Sequence, residues 1–332
     1  MHEFLVEMLE CPSCHGSLEW RVGAARAGHV ERAEAVCSRC GASYPVRDGI
    51  GLFLTPDLAR HDLWQEVESQ LAQYLKEHPQ VRALLMESPL ETLPPADRFY
   101  RAMALEEEGH FKPASEIIRQ TLSELYSPEY LANHELEMGL VIERLADGTG
   151  PVIDLASGRG QLVERLARSL ARPVVASDFS PRVLRRNRRW ILGEGLDDRV
   201  TLLAFDARRT PFRPGSVQTM TTNLGLPNIE QPGQLLRELR RIVGGTLLAI
   251  SIFYPEEDEA NGAVIRQAGL APLLYRQSAL QQFTDAGWKV ESIGETRGPA
   301  RPTPTSVLLE GAGIDGLPVA ETTLEWCTLV AR

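Results

Sequence analysis

The sequence predicts an α/β protein: a parallel sheet with covering helices, preceded by a helical segment and a small cysteine-bearing module. Three observations predict it. Short apolar runs at residues 152–154, 173–178 and 200–206 recur on the order of 25 residues apart, and each closes on an aspartate. Two Cys-x2-Cys pairs stand near the N-terminus, Cys11 with Cys14 and Cys37 with Cys40. Between these features Leu63, Val67, Leu71 and Leu75 recur every four residues among Glu and Gln, the spacing of one helix face. At 332 residues the chain exceeds one average domain, and it divides at 1–55, 56–147 and 148–332.

Each Cys-x2-Cys turn sets two thiolates on one side of a metal, and two turns complete a tetrahedron. Four sulfurs close the coordination sphere, so the expected ion is a structural zinc. Disulfides or free thiols are the ordinary alternative, and Cys11-Pro12-Ser13-Cys14-His15 also fits a covalent haem pattern. Haem attachment needs export. Residues 1–10 carry three glutamates and no basic stretch, so no signal peptide is expected there. Five cysteines without an export signal point to a reducing cytoplasm, where paired cysteines bind metal. No apolar run reaches membrane-spanning length. Residues 44–50 read as a short strand and turn. A module of this size has too little core to fold without the metal.

The segment from Asp57 to Ala146 reads as helices broken by prolines, the last of them over 135–145. It either covers the site as a lid or only joins the two ends. Residues 56–148 hold 18 acids against 8 bases, which repels a phosphate backbone, so nucleic acid is a disfavoured partner. All seven histidines stand at or before His134. Any histidine base therefore comes from this segment, with His61, His110 and His134 the candidates. Each reads more readily as an ordinary surface residue.

In the C-terminal part Gly158 and Gly160 follow the first strand and let a ligand press against backbone. Asp178, closing the second strand, suits a ribose diol. Three aspartate-tipped strand ends on one sheet edge point to a nucleoside-like ligand lying across it. A dinucleotide is the alternative, but the third glycine of G-x-G-x-x-G is absent, since Val163 stands there. After Asp178, Arg182, Arg186 and Arg189 share one helix face, either a solvated face or a phosphate site. Tyr254 opens a connection that begins with Glu256-Glu257-Asp258-Glu259 and is expected to line an acceptor pocket. Residues 297–319 read as a long loop and 322–331 as the last strand. Cys327 falls on that strand and reads as core.

Residues 140–296, through these strand ends and the segments at 211–217, 223–229 and 234–245, resemble the class I S-adenosylmethionine-dependent methyltransferases. The resemblance is strongest to the ubiquinone- and menaquinone-biosynthesis branch. It implies a seven-stranded Rossmann-like methyltransferase sheet that binds S-adenosyl-L-methionine. Asp154, Gly158 and Gly160 would hold the methionine part, Asp178 the ribose and Asp206 the adenine amino group. Ala156, Ser157, Phe179, Ala207 and Asn223 would complete the site. The family pattern has glycine where this chain has Ala156, which suits a negative φ there. Residues 234–245 resemble the next helix and its glycine-ended turn. Residues 4–54 resemble the small zinc-ribbon protein that activates several methyltransferases, with Cys11, Cys14, Cys37 and Cys40 as ligands. The implied reaction is direct in-line methyl transfer to O, N or C of a small-molecule acceptor, with no catalytic residue assigned. Two alternatives stand beside it. One is a ribosomal or transfer RNA methyltransferase, although Asn223-Leu224-Gly225-Leu226-Pro227 lacks the amino-methylating Asn/Asp-Pro-Pro-aromatic signature. The other is a non-catalytic partner-binding protein that keeps the cofactor fold.

Overall fold

The computed structural model describes residues 1–26, 28–55, 57 and 69–332. Its N-terminal part holds α1 (Leu5–Met8) and four strands, β1 (Leu18–Arg26), β2 (His29–Cys37), β3 (Ser43–Arg47) and β4 (Ile50–Phe53). Helices follow: α2 (Gln70–Glu77), α3 (Pro79–Glu87), α4 (Pro95–Glu107), α5 (Phe111–Leu125) and α6 (Pro128–Leu145). Ser69 and Ser127 cap α2 and α6 by accepting from Ala72 N and Tyr130 N, and Pro128 opens α6, where its missing N–H costs nothing. Leu71 and Leu75 fall on α2. Leu63 and Val67 of the expected stripe, and the candidate His61, stand outside the described residues.

The remainder alternates: β5 (Val152–Asp154), α7 (Gln161–Ser169), β6 (Val174–Asp178), α8 (Pro181–Gly193), β7 (Val200–Phe205), β8 (Val217–Asn223), α9 (Pro232–Ile242) and β9 (Val243–Phe253). Then come α10 (Glu259–Gln267), α11 (Ala271–Leu274), α12 (Arg276–Asp285), β10 (Val290–Ala300) and β11 (Thr322–Ala331). β7 is buried at every position, the pattern of a strand covered on both faces.

The expected seven-stranded sheet is corrected to eleven strands, in the order β1-β2-β3-β4-β7-β6-β5-β8-β9-β11-β10. The seven expected strands are contiguous within it, parallel from β7 to β9, with β11 antiparallel to β9 and β10 antiparallel to β11. The other four come from the cysteine module. β4 pairs parallel to β7, from Ile50 opposite Leu202 to Phe53 opposite Phe205. Without that strand β7 would be an edge with a row of unpaired amides and carbonyls. The cores merge as well. Leu5, Leu9 and Phe53 share one buried cluster with Phe205, Phe212 and Leu239.

Two smaller expectations change. Residues 244–245 are not a turn, because β9 runs through them. A Cβ on Gly245 would stand 2.0 Å from the Gln218 carbonyl oxygen, so close strand contact demands glycine. β10 reaches Ala300, which leaves 301–321 as the loop.

Candidate functional site

The C-terminal ends of the parallel strands bring the predicted residues to one edge. Asp154, 1% exposed, closes β5 and accepts from Thr221 Oγ1 of the neighbouring β8 at 2.7 Å. Burial pushes its carboxyl up to about 7, against the hydroxyl donors of Thr221 and Ser157 and with Asp178 adding repulsion. Ser157 fastens the next turn to β6: its N–H donates to Ser177 O at 2.8 Å and its hydroxyl donates to Asp154 O at 3.0 Å. Ala156 has φ 52°, Gly158 49° and Gly160 83°. The expectation of a negative φ at Ala156 is thus corrected. The loop must reverse within three residues of a buried strand, and it does so through left-handed backbone even where the residue carries a Cβ. Leu224, just past β8, has φ 56°. The residue after it comes close to the first loop, since a Cβ on Gly225 would stand 2.9 Å from that of Ala156.

Asp178 accepts from Gly158 N at 3.1 Å and Ser180 N at 3.0 Å. Burial raises its pKa, and these amides, with that of Phe179, oppose the rise. Asp206, 4% exposed, is clasped by Arg208: the backbone N–H and Nε reach one oxygen at 2.9 and 3.0 Å, and a terminal nitrogen reaches the other at 2.8 Å. Arg208 also meets Glu230 at 3.2 Å. A shallow, partly open cleft runs along this edge. Its walls include Ala156, Asp178, Phe179, Asp206 and Ala207 of the predicted set. They also include Ile229, at the end of the expected 223–229 segment, and Arg208 and Glu230, which sequence reasoning missed. Arg208, two residues past a predicted acid, was the available signal. Ser157, Gly158 and Gly160 shape the loop above the cleft. Asn223 stands apart from its walls and meets His134 instead, Nε2 to Oδ1 at 3.0 Å.

On the arginine face of α8, Arg182 and Arg186 are largely covered by α4, while Arg189 stays exposed. Glu106 of α4 meets Arg186 at 2.6 Å and Arg159 of the glycine loop at 2.5 Å. Glu107 meets Arg182 at 2.9 Å and its carbonyl accepts from Arg189 at 3.1 Å. Arg159 lies over the Phe99 ring and Arg186 over Phe111, each 5.8 Å from the centroid. The acidic excess of the helical segment is thus spent partly on this dock, which sets α4 over the glycine loop. The same helix holds the 301–321 loop: Asp97 accepts from Ser306 Oγ and from Leu308 N, and Tyr100 Oη donates to Gly313 O at 2.6 Å.

The four cysteines converge. The sulfurs of Cys11, Cys14, Cys37 and Cys40 all lie within 4.8 Å of one another. Cys11 and Cys40 are 3.6 Å apart, Cys14 and Cys37 3.4 Å. A tetrahedron with metal–sulfur bonds of about 2.3 Å has edges of about 3.8 Å. Gly16 leaves the room, because a Cβ there would stand 2.9 Å from the Cys37 sulfur. The donor set and its spacing fit zinc. Among the described residues no helix is long and apolar enough to cross a membrane.

Residues 152–244 match the family model described as a methyltransferase domain, and residues 2–49 match that described as Trm112p-like protein. Over 106 residues the chain is 38% identical to a demethylmenaquinone methyltransferase of Clavibacter sepedonicus, covering 31% of this chain and 42% of that protein. Over 108 residues it is 30% identical to the ubiquinone/menaquinone biosynthesis C-methyltransferase UbiE of Hahella chejuensis, covering 31% and 43%. The chain spans less than half the length of these curated relatives. The YcgJ protein of Bacillus subtilis aligns in structure with TM-score 0.48 and 15% identity, over 60% of this chain and 98% of that one.

Proposed function

We propose that this protein is an S-adenosylmethionine-dependent methyltransferase that acts on a small-molecule acceptor by direct in-line transfer, with a structural zinc in its N-terminal module. The observation that carries the reading is one cleft at the ends of β5, β6 and β7, with Asp178 and Asp206 in its wall, within the segment that matches a methyltransferase domain. When bound, S-adenosylmethionine supplies an electrophilic methyl on a positively charged sulfur. Asp178 accepts from the ribose hydroxyls and Asp206 lies at the adenine end. The left-handed loop at 156–160 lets backbone approach the methionine part. α4, docked on Arg159 and Arg186, excludes water above it. Acceleration comes from aligning nucleophile, carbon and sulfur in a dry site. The relatives are named for demethylmenaquinone and for ubiquinone/menaquinone biosynthesis, so a hydroxylated aromatic ring is the first acceptor to test. An RNA acceptor is disfavoured, because Glu106 and Glu107 neutralise the arginine face that would contact phosphates.

The test is calorimetry with S-adenosylhomocysteine, followed by transfer of labelled methyl from S-adenosylmethionine to a small-molecule cell extract and, separately, to total RNA. Binding and label in small molecules support the reading. No binding, or label confined to RNA, overturns it. Asp178→Ala should weaken cofactor binding by roughly 1.5–3 kcal/mol, about tenfold to more than a hundredfold. Unchanged affinity would remove Asp178 from the cofactor site.

A further inference from the structure

We propose that His134 is the general base of the reaction, and that the acceptor therefore belongs to the class whose reacting atom carries a proton that must leave, a hydroxyl above all. The inference rests on the methyltransferase reading.

α6 brings His134 to Asn223 at the C-terminal end of β8, beyond the walls of the cleft. α6 packs along β10 and β11, and its residues Tyr130 and His134, one turn apart, both meet Trp326. The ring centroids are 4.9 Å apart for Tyr130 and 5.8 Å for His134. Trp326, 1% exposed, lies near the same edge, because β11 runs antiparallel to β9 and pairs Trp326 with Ile252. His134 thus sits between an aromatic wall and the end of β8. There it meets Asn223, immediately before the strained Leu224. Strain of this kind costs about 1–3 kcal/mol and gathers where a site is held in a set shape. The loop it begins reaches Gly225, which presses on Ala156 at the glycine loop. The histidine therefore looks across the loop that borders the candidate cofactor site.

The chemistry follows from the hydrogen bond. The Asn223 Oδ1 that meets Nε2 at 3.0 Å is an amide oxygen and can only accept. With that oxygen toward Nε2, the neutral ring would carry its proton there and Nδ1 would present a lone pair. Nε2–Asn223 is the one hydrogen bond of the ring among the described residues, and the half-buried ring leaves Nδ1 outside the sealed polar atoms. Burial lowers its pKa, the Asn223 contact opposes this, and the charge of Arg165 on α7 adds to the lowering. The ring is neutral at pH 7 and able to take a proton. In the step, the acceptor X–H proton passes to Nδ1 and the X lone pair forms the X–CH3 bond. The pair of the breaking S–CH3 bond stays on sulfur and cancels its positive charge. The imidazolium then gives its proton to water. An acceptor with no proton to lose, such as a thioether or tertiary amine, would leave His134 without a task.

The test uses the full chain in two arms. In the first, nitrogen-15 NMR of histidine-labelled protein reads the tautomer, with His134→Gln identifying the resonance. The expected result is a protonated Nε2 and bare Nδ1 at pH 7, shifted when S-adenosylhomocysteine binds. In the second, His134→Gln is compared with wild type on the labelled-methyl extract assay. Turnover should fall by about 10²–10⁴, with S-adenosylhomocysteine affinity within threefold. A protonated Nδ1, turnover within threefold of wild type, or a loss of cofactor affinity beyond tenfold overturns the proposal. Absence of cofactor binding by the wild type itself is a separate result, and it overturns the methyltransferase reading first.

Discussion

Ala156 holds a backbone conformation that suits glycine. A left-handed φ costs an L-residue about 1–2 kcal/mol, while glycine gives back roughly 0.4–1 kcal/mol through its freer unfolded chain. Ala156→Gly is therefore expected to leave stability unchanged or raise it by up to about 1 kcal/mol in urea unfolding. A loss above about 1 kcal/mol would show that the Cβ packs more than its strain costs. The buried carboxyls make a second prediction. Asp154 and the fully buried Glu137, which accepts from Thr328 Oγ1 at 2.8 Å, both have pKa values pushed up to about 7 by burial. In the folded state each keeps its proton where the unfolded chain, titrating at 3.8 or 4.5, has lost it. The folded state binds more protons in that window. Their contribution to stability therefore falls as pH rises from about 4 to 7 and is flat above. Glu137→Gln should stabilise more at pH 8 than at pH 5.5, with a difference on the order of 1 kcal/mol, since each pKa unit is worth about 1.4 kcal/mol. Equal effects at both values would refute the shift. The three aspartates and the glycines were legible from sequence because each sits at a strand end or turn of fixed spacing. Arg208 and the His134–Asn223 contact were not, because they depend on which side chains a tertiary fold brings together.

The helix α4 joins two elements that sequence treats separately. Its Glu106, 6% exposed, serves two arginines, one on the glycine loop and one on α8. Glu106→Gln keeps the shape and removes the charge. It should cost about 1.5–3 kcal/mol of stability and weaken S-adenosylhomocysteine several-fold, because the loop loses its clasp. One molar salt should mimic little of this, since buried pairs are screened weakly. A variant with wild-type stability and affinity would reduce the dock to a surface contact. Charge counting found the acidic excess at 56–148 and the arginine row on α8, yet periodicity along one element cannot report that two rows face each other. The same limit hid Gly245. Its role is read only from the Gln218 carbonyl on the adjacent strand.

At the scale of the molecule, the cysteine module and the α/β unit share one sheet and one core. Sequence reading treated them as separate modules and had no means to see β4 pair with β7, since strand partners at that separation leave no local pattern. The antiparallel contact of Leu9 with Phe212 and the ion pair of Glu10 with Arg241, 2.7 Å, tighten the join. A chain lacking residues 1–54 would expose Phe205 and Phe212, now 2% and 0% exposed. It is expected to be insoluble or to unfold well below the full-length protein in a thermal scan. A soluble fragment with the parent's midpoint would mean that the shared core is dispensable.

The parallel β4–β7 seam also places the four-cysteine cluster at the head of a failure route. If the cluster holds zinc as proposed, chelation leaves β1 to β4 with little to hold them, and β7, now buried at every position, becomes a bare border. Such a border templates another copy of itself. Mild chelation should therefore raise light scattering and amyloid-dye fluorescence before helical circular dichroism is lost, and zinc restored early should reverse the rise. The ion would then act as a solubility guard for the shared sheet.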